Sequence, residues 1–277
     1  MRKLVLAGFA AFLGACGGGS SNNNNNNNNN GTPGLKTFSY GTPQAPTTAQ
    51  QATATRAQTQ LKSAVSASVN GQVAGAAGLP TLTDSLAGSL PALMAMPEDP
   101  ALTASEHSPA AVFARHSGAL NQGCYTFTTS SISYNNCTIS GTGFSETLNG
   151  TLTVSNSSVT WNLTVTWNYS SGNITENGTY SWTGQVTVTA STIVGLGRSS
   201  FTGHLVSGST TYDYQYTAGF DSNLTYQSTP SFCNTGGTLE IRRTLNSASN
   251  AGAIPVHDGA AKYTWSSCGS VTVATGT

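Results

Sequence analysis

The side chains that could do chemistry are few and scattered. His107, His116, His204 and His257 stand far apart, in no spacing that holds a metal or orders a catalytic triad. Thr59-Gln60-Leu61-Lys62 has the spacing of a nucleophile and a lysine, but the nucleophile would be a threonine and no companion motif follows. No GxSxG, HExxH, phosphate-loop or dinucleotide glycine pattern occurs. Acids, bases and nucleophiles without a constellation predict a protein that is not an enzyme and carries no cofactor. Of the five cysteines, Cys16 lies near the start, and Cys124, Cys137, Cys233 and Cys268 form an even set in the second half. No CxxC or histidine cluster accompanies them, so no metal site is expected.

The compartment is written in the first residues. Arg2 and Lys3 precede an apolar run from Leu4 to Leu13, too short for a membrane-spanning helix and suited to a signal peptide over residues 1–15. The run ends in Leu13-Gly14-Ala15-Cys16, which resembles the lipobox of bacterial lipoproteins. That resemblance implies cleavage before Cys16, acylation of Cys16, and anchoring in the bacterial envelope, with the outer membrane as the expected destination. Several acyl chains, each methylene worth about 0.8 kcal/mol when buried, would hold the chain stably on a bilayer. Residues 16–44 read as the tether. Gly17 to Ser21, the unbroken run Asn22 to Asn30 and Gly31-Thr32-Pro33-Gly34 offer nothing apolar to pack. About 18 such residues span roughly 24 Å root-mean-square.

An exported chain with four remaining cysteines is expected to form disulfides. A two-residue turn at Ser130-Ser131 would set Phe127 opposite Tyr134 and Cys124 opposite Cys137, leaving Cys233 for Cys268. Closing the first loop would stabilise the fold by about 3 kcal/mol on the chain-entropy model.

Lys and Arg number 10, as do Asp and Glu, so charged residues make up 7% of the 277, where an ordinary domain carries about a quarter. Polarity comes instead from 41 Thr, 35 Ser and 31 Gly. No local charge block supplies the field that nucleic-acid binding needs. Nine Asn-x-Ser/Thr sequons, among them Asn149, Asn162 and Asn177, follow from this composition and need no glycan in a bacterial lipoprotein.

Two kinds of element must carry these residues. Over residues 45–122 the apolar spacing is helical: Leu61, Val65, Val69 and Val73 recur every four residues, and Leu79, Leu82, Leu86, Leu90 and Leu93 step by three and four. Ser108-Pro109 reads as a helix start. This segment is expected to pack on the sheet. From residue 123 to 277 the period becomes two. Val159, Trp161, Leu163, Val165, Trp167 and Tyr169 alternate with polar residues, and Leu148, Leu152 and Val154 precede them. Pairing Val154 with Val159 brings Leu152 opposite Trp161 and Leu148 opposite Val165. A turn at Ser170-Ser171-Gly172-Asn173 would set Tyr169 against Ile174, Leu163 against Tyr180 and Trp161 against Trp182. The fold class is therefore mainly β, a large antiparallel up-and-down meander, curled or partly closed, preceded by short helices.

The row of Trp161, Trp167, Tyr180, Trp182, Tyr212, Tyr214 and Tyr216 fills a core or lines a space for a lipid or another hydrophobic ligand. The second arrangement is similar to the incomplete barrel of periplasmic lipoprotein carriers, although there helices also interrupt the strands. Glu176 and Arg243 share parity with apolar neighbours and should lean inward, unless each lies at a strand end or beside a bulge that resets parity; leaning inward, they would flank such a space and orient the polar end of its ligand. The partners expected are the membrane through Cys16, and an envelope protein or hydrophobic ligand.

Overall fold

The computed structural model describes residues 35–55, 58–59, 123–128, 130–155, 157–249 and 258–277. The leader, Cys16, the asparagine tract, the stripes from Leu61 to Val73 and Leu79 to Leu93, and the Ser108-Pro109 helix start lie outside them.

Ten strands form one antiparallel sheet in chain order. They are β1 (Tyr125–Phe127), β2 (Ser131–Gly141), β3 (Phe144–Val154), β4 (Ser158–Ser171), β5 (Ile174–Val188), β6 (Thr192–Ser207), β7 (Thr210–Gln227), β8 (Cys233–Ala248), β9 (Gly259–Ser267) and β10 (Ser270–Gly276). The outermost strands do not pair with each other, so the sheet is open. Along β4 every second residue from Val159 to Trp167 is buried, and the threonines and asparagines between them face outward. The same alternation gathers one apolar cluster that runs from Ile132 in β2 to Val273 in β10.

The first hairpin register is the expected one: Val154 faces Val159, Leu152 faces Trp161 and Leu148 faces Val165. The second differs by two residues. Ser171 pairs with Ile174, Leu163 with Trp182 and Trp161 with Gly184. The cause is the turn. Gly172 takes a left-handed φ of 59°, which lets a two-residue Gly172-Asn173 loop match the right-handed twist of its strands, whereas the expected four-residue loop would leave both strands shorter. A slip of two preserves the inward face but changes every partner.

The corrected register sets large rings against glycines. Trp161 lies across from Gly184, Trp167 across from Gly178 and Phe220 across from Gly197. A Cβ added at these glycines would stand 2.2, 2.4 and 2.3 Å from the respective ring carbons. The rings occupy the volume that a side chain at the glycine would fill.

Both disulfides connect the expected cysteines, Cys124 with Cys137 and Cys233 with Cys268. The hairpin beneath the first is different from the expected one. Tyr134 faces Tyr125, and Phe127 faces Ile132. Thr128 N–H donates to the Ser131 carbonyl at 2.8 Å, and Ser130 and Ser131 N–H both donate to Thr128 Oγ1, at 3.2 and 3.0 Å, so the hairpin closes between Thr128 and Ser131, one residue earlier than the expected turn. A bulge between Tyr134 and Cys137, with Asn136 at φ 51°, then returns Cys137 to the inward face and within reach of Cys124.

Residues 35–44, expected to belong to the tether, are part of the fold. Tyr40 bridges to Gly276 and Gln44 to Val273, extending the sheet beyond β10. A helix α1 follows over residues 48–55. Its start is a capping box: Gln50 N–H donates to Thr47 Oγ1 at 3.3 Å, and Thr47 N–H donates to Gln50 Oε1 at 2.9 Å. Gln50, Thr53 and Ala54 share one buried helix face, and Ala54 joins the core. Gln58 Nε2 donates to the Phe232 carbonyl at 3.3 Å.

The ring-on-glycine arrangement is testable. Gly184→Ala should lower unfolding free energy by about 1–3 kcal/mol through overpacking against Trp161. Combining it with Trp161→Phe should cost less than the sum of the two single changes, read by urea denaturation.

Candidate functional site

Of the residues expected around an apolar space, Trp161, Trp167, Tyr180 and Trp182 lie on the inward face of the sheet, where rings pack on rings. Trp161 and Trp182 stand 5.4 Å apart between ring centroids, Trp167 and Phe201 4.9 Å, and Tyr180 meets Phe201 edge-on at 6.2 Å. Phe201 stacks on Tyr216 at 4.9 Å. The four rings of Trp161, Trp167, Tyr180 and Trp182 are 1–7% exposed. Tyr214 falls by register between Gly203 and Ala248, and Tyr212 between Leu205 and the end of the sheet pairing, half-buried.

The inward charges separate by depth. Glu176 is half-buried, two residues inside β5, where the hairpin end lies near water. Arg243 is 5% exposed and well inside β8, facing Ala218 and Gly259, so a strand-end position does not account for it. Glu146 is more buried still, at 3%, directly across from Trp167. It was not singled out from sequence, although its parity with Leu148 and Leu152 carries the signal. All three engage other groups of the protein, as buried ionisable groups must.

The outward face holds the other arrangement of note. One row crosses the sheet in register: Thr138, Thr147, Thr166, Thr179, Thr202, Gln215 and Ser247. Beside it runs a second, Ser140, Ser145, Asn168, Asn177, His204 and Asp213. Where both rows pass over β4–β8 there is an open groove of about 360 Å3, with backbone at Gly178 and Gly203 among its lining. His204 Nδ1 and Asp213 Oδ1 lie 2.5 Å apart within it, and Asp213 N–H donates to Ser249 Oγ at 2.7 Å. The sequence reading missed this groove because its register for the second hairpin put Thr166 against Asn177 instead of Thr179.

A charged cluster on the same face pins the N-terminal segment. Arg198 donates to both carboxylate oxygens of Asp221 at 2.8 and 3.0 Å, Arg242 bonds the same carboxylate, and Arg242 Nε lies 3.2 Å from Glu240. Tyr40 donates its hydroxyl to Glu240 at 2.6 Å, beneath the ammonium of Lys262 at 5.9 Å from the ring centroid. Lys36 pairs with Asp258. Burial, and then the bond to Glu240, hold the Tyr40 hydroxyl well above the ordinary tyrosine range. Burial does the same to Tyr180 in the inward row.

Among the described residues, no three His, Cys, Asp or Glu side chains gather as a metal-ligand set. Comparisons with protein-family models, curated proteins and solved structures find no match to this chain.

The raised tyrosines set an alkaline limit. Both folded-state values lie above the unfolded one near 10, so their contribution is complete below about pH 10 and declines as pH rises, because the unfolded chain ionises first. Tyrosinate absorbance should show Tyr40 and Tyr180 ionising only with unfolding. Tyr180→Phe should make stability fall less steeply above pH 10.

Proposed function

We propose that this protein is a bacterial envelope lipoprotein, acylated at Cys16 and held on the outer membrane, that acts as a non-enzymatic structural or binding module. The observation that carries this reading is the division of labour between the sheet's two faces. Inward rings fill their own side, while outward threonines, serines and asparagines stand in rows that offer hydroxyls and amides to a partner. Low charge suits this role, since recognition then rests on short-range hydrogen bonding and not on a long-range field. The four cysteines, paired at disulfide distance, accord with an oxidising compartment.

A second reading, carriage of a lipid or another hydrophobic molecule on the inward face, draws its support from Glu146, Glu176 and Arg243, charges on the apolar side of the kind that orients a ligand's polar head. The close ring contacts favour the module.

Fractionation and native mass spectrometry test both. The wild-type chain should partition with outer membranes, and Cys16→Ser or globomycin should block its maturation and release it. Mass and membrane partition unchanged by both treatments would reject the anchor. A lipid of fixed mass, beyond the acyl groups, retained by the purified protein would favour the carrier.

A further inference from the structure

We infer that the groove across β4–β8 is a binding site for a neutral glycan chain, an inference that rests on the binding-module reading and supplies its ligand class. The first support is spacing. Thr166, Thr179, Thr202 and Gln215 occupy one row on four successive strands, and neighbouring strands lie about 4.8 Å apart. That step is close to the length of one pyranose unit in an extended chain, so each sugar along the row meets a fresh hydroxyl or amide.

The second support is charge. His204 and Asp213 are the ionisable side chains that line the groove, and they pair with each other. A phosphate or carboxylate ligand would find no unengaged cation there, and an ammonium would have to compete with His204 for the Asp213 carboxylate, whereas a polyhydroxylated neutral ligand needs neither.

The third is unused hydrogen-bonding capacity. Further along the same row, Thr138 and Thr147 bond each other at 2.8 Å. Within the groove, Thr166, Thr179, Thr202, Asn168, Asn177 and Gln215 make no side-chain hydrogen bond to any described residue. Their donors and acceptors face an opening of about 360 Å3, within the roughly 300–1,000 Å3 of small-molecule sites. Sugar hydroxyls act as both donor and acceptor, as threonine hydroxyls and glutamine amides do, so either partner can satisfy the other.

Isothermal titration of the full acylated chain in detergent, with chitotetraose, cellotetraose and maltotetraose as probes, tests this. At least one should bind with one-to-one stoichiometry. The double variant Thr179→Val, Gln215→Ala removes two polar partners while keeping a β-branched residue in β5. It should bind that probe about 10-fold more weakly or worse, with an unchanged melting curve. Thr160→Val, outward on β4 but away from the groove, should bind as wild type. Silence with all three sugars, binding unaffected by the double variant, or displacement of the sugar by inorganic phosphate would overturn the inference. Membrane partition of the same preparation is read separately: a silent titration of a correctly anchored protein removes the glycan and keeps the module, and sugar binding by a chain that is not acylated removes the anchored module and keeps the site.

Discussion

Three large rings in this sheet occupy the place of a missing side chain on the neighbouring strand. Trp161, Trp167 and Phe220 each lie within 2.4 Å of where a Cβ would stand on their glycine partner, so ring and glycine are mutually required. Without the ring, the glycine would leave a void and a stretch of backbone with no packing; without the glycine, the ring would be driven out of its place. The pairs lie on β4 through β7, in the middle of the sheet, where they bring the inner surface into contact with itself. Trp161 then reaches Trp182, and Trp167 reaches the Phe201–Tyr216 stack. The outward rows depend on the same register. Shift β5 by two residues and Thr166 no longer meets Thr179.

The extent to which this was legible follows the physics of alternation. Which residues of β4 point inward was readable, because a period of two is a property of the strand alone. The pairing of Val154 with Val159 was readable because the polar residues between them left one short connection. The next register was not, since it turned on whether Gly172 would adopt a positive φ, and both candidate turns kept the apolar residues on the same side. Hydrophobic patterning cannot distinguish slips of two. The cysteine pairs were correctly joined through an incorrect hairpin: a turn placed one residue earlier, between Thr128 and Ser131, and a bulge at Asn136 offset one another.

The candidate sites divide in the same way. Arg243 and Glu176 were visible as breaks in an apolar alternation, and Glu146 was equally visible by that test. Their depths, 5% and 3% exposed for Arg243 and Glu146 against half-buried for Glu176, depend on neighbours several strands away. The threonine row was hidden for a different reason. Threonine is abundant throughout, so no single position stands out until seven strands are aligned at once. Residues 35–44 were hidden by their surroundings: Phe38 and Tyr40 are the anchoring side chains of a stretch otherwise rich in Gly, Thr and Pro.

That last segment has a mechanical consequence. Residues 39–44 run antiparallel to β10 and exchange hydrogen bonds with Thr277, Thr275 and Val273. A pull applied from the upstream side, lengthwise to the strand, would load these bonds together in shear, where peeling would break them one after another. The Tyr40–Glu240 and Lys36–Asp258 contacts sit at the end that feels tension first. The join between this segment and the sheet is thereby reinforced where strain would enter it.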